Sequence, residues 1–121
     1  MHFQVIKDEY FNKLIQDLKE KVPEFQSVFD EDDGVYPILG EFSRFVIENI
    51  DDKKLSGQAF EFINHAVQVG GSETEDAIVL QIFHPIYDDK LLVAKAQKFL
   101  SSKVSEVFEK FKNRYDTDSR S

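Results

Sequence analysis

The sequence predicts an all-α protein, either a single-domain bundle or a short HEAT-like array of about six helices. The domain is expected to span residues 1–116, with a frayed tail at 117–121. Apolar residues recur at spacings of three and four, the period of one helix face. Proline, glycine and capping residues interrupt this pattern at intervals of about one helix. No segment alternates apolar and polar residues, and the hairpin dipeptide Asn-Gly is absent, so a β-sheet is not expected.

A first helix is predicted from Asp8 to Val22. Pro23 ends it, because proline disfavours the helical conformation in the preceding residue. The segment 24–29 is predicted to form another helical turn or two. Three of its apolar side chains are expected to point inward: Phe25, Val28 and Phe29. Residues 30–34, four carboxylates and a glycine, are predicted to form an exposed acidic loop.

The second and third helices lie between clear boundary residues. The second begins near Pro37, a residue tolerated in a first turn, and ends near Ile50. One of the aspartates at 51–52 is expected to cap the third helix, which continues to about Val69. The glycine pair at 70–71 is then expected to close it in the left-handed conformation of many helix C-termini.

The fourth helix is predicted from Glu73 to His84, with Pro85 ending it. The preceding Ser72 forms a Ser-x-x-Glu capping box with Glu75. The middle of this fourth helix is apolar on almost every face and contains Ala77, Ile78, Val79, Leu80, Ile82 and Phe83. It is therefore expected to be the most buried element.

The last third of the chain predicts two more helices. One of the aspartates at 88–89 caps a fifth helix that ends near Leu100, with Leu91 among its inward side chains. One of the serines at 101–102 caps a sixth, which ends near Tyr115. The two nearly share one apolar stripe, so a single continuous helix is also compatible with the pattern. The serines favour a break.

Composition excludes several classes of function. The 121 residues contain no cysteine, which excludes disulfides, thiolate metal sites and a cysteine nucleophile. No apolar run approaches the roughly 20 residues that cross a bilayer, and the first residues do not resemble a signal peptide. A cytoplasmic protein is therefore expected. Its net charge of −8 opposes binding to nucleic acid or an anionic membrane.

No catalytic, metal or cofactor motif is found. Placing Gly34 at the sixth position of an EF-hand loop puts Phe29 and Gly40 at ligand positions, so that motif fails. His65 and His84 lie in no metal-binding pair and are expected to be ordinary polar residues, although a functional role for either stays open. Serine-hydrolase and phosphate-loop motifs are also absent. We therefore expect no catalytic residue, metal or cofactor.

The negative charge is concentrated in the first three quarters of the chain. Residues 1–89 carry 19 acidic and 7 basic side chains, whereas residues 90–121 carry 4 acidic and 8 basic. Carboxylates gather at predicted helix starts, and those at 30–33 and 73–76 would meet if alternate helix ends share one side of the bundle. The predicted partner-binding residues are Asp30, Glu31, Asp32, Asp33, Tyr36, Glu41, Arg44, Glu73, Glu75, Asp76, Tyr87, Asp88 and Asp89. Tyr36 and Tyr87 are the expected exposed aromatics, and Arg44 is expected to pair with Glu41 or Glu48.

The segment Gly34–Val46 contains Leu39-Gly40-Glu41-Phe42-Ser43-Arg44-Phe45 and precedes an apolar helix, a Gly-Gly turn and a Glu-rich helix start. In this it resembles a group of small acidic bacterial all-helical proteins of largely unknown function. In size, charge and fold type the chain is also similar to the immunity proteins of bacterial toxin–immunity systems. That resemblance implies a non-catalytic inhibitor that neutralises a basic toxin domain by tight binding. The alternative is a helical adaptor or scaffold that binds a peptide or protein in an apolar groove. The sequence leaves the oligomeric state open.

Overall fold

The computed structural model describes residues 8–119. The segments with a helical period form helices, and these residues contain no strand. Short 3₁₀ turns occupy Tyr10–Lys13 and Glu31–Asp33, and a π-helical turn occupies Val79–Phe83. The α-helices are α1 (Leu14–Lys21), α2 (Val35–Glu48), α3 (Lys53–Val69), α4 (Ser72–Ile78), α5 (His84–Tyr87), α6 (Lys90–Gln97) and α7 (Ser102–Ser119). The prediction of an all-α bundle is confirmed. No helix among the described residues is both long and apolar enough to span a bilayer.

Phenylalanine rings fill the core. Five of those in the described part of the chain are fully buried: Phe42, Phe60, Phe62, Phe83 and Phe108. The rings of Phe42 and Phe62 meet edge to face with centroids 5.6 Å apart, and those of Phe83 and Phe108 do so at 5.0 Å. This geometry brings the positive ring edge to the negative ring face. The contacts join α2 to α3 and the π-helical turn to α7.

Pro85 does not end the fourth helix, so that prediction is wrong. The helix widens into the π-helical turn Val79–Phe83 and continues as α5, with Pro85 in its first turn. A proline ring clashes with the carbonyl four residues earlier, here that of Gln81. The wider turn makes room for the ring. Leu80, predicted to be buried, is 48% exposed on this turn.

The start of α4 is capped by Asp8, which precedes α1, and not by Ser72. Ser72 is already helical and caps nothing, so the predicted capping box is wrong. Instead, the buried carboxylate of Asp8 accepts hydrogen bonds from the N–H of Thr74 at 2.7 Å and of Phe11 at 3.1 Å. Burial alone raises the pKa of Asp8, but hydrogen bonds from the backbone of Thr74, Gly71 and Phe11 outweigh it and lower the pKa.

The glycine pair at 70–71 does not adopt the expected left-handed conformation. The φ angles are −78° at Gly70 and −96° at Gly71, and among the described residues only Gly34 has a positive φ, at 98°. Gly70 is required for space. A Cβ atom there would lie 2.6 Å from the carbonyl oxygen of Ala66 and 2.6 Å from Cβ of Thr74.

The predicted break between the last two helices is confirmed, and a side chain stabilises it. Asn64 on α3 donates to the carbonyl of Phe99 at 2.9 Å and accepts from the N–H of Ser101 at 3.1 Å. Asp89 caps α6 as predicted, whereas Leu91 is 62% exposed and not inward. Helix α7 reaches Ser119, within the expected tail, and residues 120–121 lie outside the described residues.

Replacing Asp8 by alanine is expected to lower the free energy of unfolding by about 1–3 kcal/mol, because it leaves the backbone N–H of Thr74 in α4 unpaired. The folded-state pKa lies below the ordinary 3.8, so the carboxylate stabilises the fold above that value and the contribution disappears as the pH falls through the lowered pKa. Urea unfolding at pH 7 and pH 3 measures both effects. Glu9→Ala, at an exposed neighbour, is the control. Equal losses for the two variants would contradict the capping role.

Two glycine substitutions are expected to have opposite signs. Gly70→Ala brings a methyl group against the α3 backbone and is expected to destabilise the fold by about 2 kcal/mol or more. Gly57→Ala, in α3 with no atom within 4 Å of the new Cβ, is expected to stabilise it by about 0.5–1 kcal/mol. Thermal unfolding of both variants is the measurement. A stabilised Gly70→Ala variant would refute the close-contact argument.

Candidate functional site

After α1 the chain leaves the core, and residues 22–30 form no helix, so the predicted helical turn over 24–29 is wrong. Phe25 is buried as predicted, with its ring 5.2 Å from that of Phe42 and 5.5 Å from that of Phe45. The next two apolar side chains face water instead: Val28 is 85% exposed and Phe29 is 42% exposed.

Glu41 on α2 fixes the backbone of this segment. Its carboxylate accepts a hydrogen bond from the hydroxyl of Ser27 at 2.5 Å and from the N–H of Val28 at 3.1 and 3.2 Å. A carboxylate acceptor makes these bonds stronger than neutral ones. Glu41, predicted to contact a partner, therefore positions the segment that precedes the acidic turn.

The acidic turn follows immediately, and all four of its carboxylates are exposed. Asp30 and Asp33 cap the turn, with the N–H of Asp30 donating to the Asp33 carboxylate at 2.8 Å. Glu31 lies 3.1 Å from Nζ of Lys19 on α1. Gly34, at its positive φ, then leads the chain into α2.

Two adjoining grooves border this turn. One has a volume of about 390 Å³ and is mainly apolar; the other, of about 470 Å³, is bordered by Asp30, Glu31 and Asp32. The apolar groove is lined by Ile15, Leu18, Pro23, Phe25, Phe29 and Ile38. The two grooves share the lining residues Lys19, Ser27 and Phe29, so they adjoin. We call residues 28–33 with the apolar groove the acidic–apolar surface.

The other predicted partner-binding residues are not among those that line the two grooves. Tyr36 is 40% exposed at the start of α2. Glu73 and Asp76 are exposed on α4, with Glu75 partly buried. Asp76 borders a separate groove formed with α7, so the structure does not show the two acidic clusters on one edge.

Four further predictions concern single side chains. Tyr87 is buried and its hydroxyl donates to the carbonyl of Phe108 at 2.7 Å, so its predicted exposure is wrong. Asp88 accepts a hydrogen bond from the hydroxyl of Tyr115, and Asp89 caps α6. Arg44 is exposed and forms no ion pair with any described residue, so its predicted pairing with a neighbouring glutamate is also wrong.

The groove between the π-helical turn and α7 contains a histidine. It has a volume of about 360 Å³ and is lined in part by Asp76, Leu80, His84, Arg114 and Asp118. Burial lowers the pKa of His84, opposed by the charge of Asp88.

His65 and His84 each contact an aromatic ring. The ring centroids of His84 and Tyr115 lie 4.8 Å apart. His65 is exposed to solvent and contacts the ring of Tyr10 edge to face. In residues 8–119, no group of three histidine or carboxylate side chains is arranged to hold a metal ion.

Sequence reasoning missed the apolar groove because it placed residues 24–29 in a helix. Pro23 and Gly34 limit this segment to ten residues, and Gln26 and Ser27 interrupt its apolar pattern. That interruption was the available signal that the side chains following Ser27 do not share a buried face with Phe25.

Replacing Glu41 by alanine is expected to free the segment around Ser27. Hydrogen exchange at the Val28 amide is expected to accelerate about tenfold or more, since the amide loses its acceptor. The free energy of unfolding is expected to fall by about 1–3 kcal/mol. Glu48→Ala, at an exposed glutamate on the same helix, is the matched control. If Val28 exchanged equally fast in both variants, Glu41 would not position this segment.

The comparison with known proteins identifies the family but not an activity. The model of a domain of unknown function, DUF7674, matches residues 15–116. No curated protein and no solved structure matches the chain. The match includes the entire acidic–apolar surface and excludes the capping residue Asp8. The chain therefore belongs to the DUF7674 family.

Proposed function

We propose that the protein is a non-catalytic binding module that takes a basic protein partner on its acidic–apolar surface. One observation carries the proposal. The exposed side chains of Val28 and Phe29 directly precede four exposed carboxylates, and this segment lies beside an apolar groove. An apolar centre with a charged edge is the usual composition of a protein interface. Exposed apolar groups cost free energy in a monomer, and partner binding would recover it.

The negative net charge of the chain favours a partner with positive charge. At a net charge of −8, the field attracts a basic protein and can raise its association rate roughly 10- to 1000-fold. In its most specific form, the proposal is an immunity-type inhibitor that covers the active site or partner surface of a basic toxin domain in the cytoplasm. Size, acidity and helical fold support that form.

The alternative is a helical adaptor that holds a peptide in the apolar groove with little help from charge. The groove itself favours this second function, since most of its lining is apolar. The two functions differ in their response to salt. Screening weakens binding by exposed charges but leaves apolar burial nearly unchanged.

Removing the charges of the acidic turn tests the proposal. The variant Asp30→Asn, Glu31→Gln, Asp32→Asn, Asp33→Asn is expected to bind a basic partner at least tenfold more weakly and with a smaller salt dependence. Calorimetry against basic proteins encoded beside the gene is the measurement, with rescue of growth on co-expression as the readout of toxin neutralisation.

The control changes the same net charge elsewhere: Glu9→Gln, Glu20→Gln, Glu48→Gln, Glu61→Gln, all at exposed positions. It is expected to reduce the association rate slightly and leave the dissociation rate unchanged. Equal losses in both variants would show that net charge alone matters. Absence of binding to any basic neighbour would count against the inhibitor.

A further inference from the structure

The apolar groove has the size and lining of a pocket for one or two side chains. Ile15 and Phe25 are each 8% exposed and Ile38 is 2% exposed, so its walls belong to the packed core. A rigid pocket of this kind binds without a large ordering cost. Phe29 forms its edge next to the acidic turn.

Lys19 lies where the apolar groove meets the acidic one. Its ammonium is 3.1 Å from Oε1 of Glu31, and the two side chains are 60% and 62% exposed. An ion pair this exposed contributes little to stability, so an incoming cation can replace it. Asp30, Asp32 and Asp33 form no ion pair with any residue the structure describes.

We propose that the partner inserts an apolar side chain into this groove while a neighbouring lysine or arginine of the partner displaces Lys19 from Glu31. The inference rests on the proposed function and specifies the chemistry of the contacting segment, a basic chain with an apolar residue between its cations. Charge complementarity favours this occupant over a second copy of the protein, whose net charge of −8 opposes approach. Lys19 therefore acts as an internal competitor of the ligand.

The probe is the synthetic peptide Lys-Lys-Leu-Trp-Leu-Lys-Lys. The protein has no tryptophan, so the peptide fluorescence reports burial of the indole without background. We expect a blue shift of its emission on binding. We also expect a loss of affinity of roughly tenfold or more when the Leu-Trp-Leu core is replaced by Ser-Gly-Ser, measured by calorimetry.

Lys19→Gln is expected to increase affinity for the peptide about threefold at low salt, because Glu31 no longer has an internal cation. Lys103→Gln removes the same charge from an exposed position in the first turn of α7 and is expected to change affinity less than 1.5-fold. A second matched pair tests the groove. Phe29→Ser, at a lining residue, is expected to weaken binding more than Val28→Ser, at a more exposed neighbour.

The results separate the inference from the proposed function. Equal affinity of the two peptides, equal effects of Lys19→Gln and Lys103→Gln, or no binding at millimolar peptide would overturn the inference. Any of these can occur while the four-carboxylate variant still loses its basic protein partner, which would leave the proposed function standing. If that variant binds both the peptide and the protein partner unchanged, the proposed function itself fails.

Discussion

The direction of the chain between α1 and α2 depends on the carboxylate of Glu41. By accepting from both the Ser27 hydroxyl and the Val28 N–H, it holds the backbone where the segment passes from core to solvent. Its neighbour Phe42 holds the preceding Phe25 in the core. Two consecutive residues of α2, Glu41 and Phe42, thus fix the connecting segment. Phe42 holds Phe25 inward, and Glu41 holds the backbone that turns Val28 and Phe29 outward. A site built on a rigid helix is better defined than one on a free loop.

The structure also sorts the carboxylates that the sequence could only count. Asp8, Asp52 and Asp89 accept backbone hydrogen bonds at helix starts, so their charge is used within the fold. Asp51 pairs with Lys95. In the turn at 30–33, Asp30 and Asp33 are also caps and Glu31 pairs with Lys19, but there the four exposed carboxylates directly follow exposed apolar side chains. Charge and exposed apolar area are combined there, and the proposed binding function rests on this combination.

Local signals predicted most of the fold, because helix periodicity, Asp caps and the serines at 101–102 act among residues close in sequence. The failures come partly from distant contacts and partly from local geometry that helix periodicity does not predict. The cap of Thr74 comes from Asp8, and the need for Gly70 comes from atoms of Ala66 and Thr74. Pro85 is tolerated because the preceding turn is π-helical. For the site, the sequence identified the acidic turn but not its apolar groove, whose walls come from α1, the connecting segment and α2.

The hydrogen bond between Asp8 and Thr74 spans 66 positions of sequence and joins the first described residue to the middle of the bundle. Closing so long a connection costs chain entropy that neighbouring contacts must offset. The N–H of Thr74 has no other described acceptor, so local unfolding that moves Asp8 away also removes the cap of α4. Residues 8–13 and the first turn of α4 are therefore expected to open as one cooperative unit, although about half of the chain lies between them.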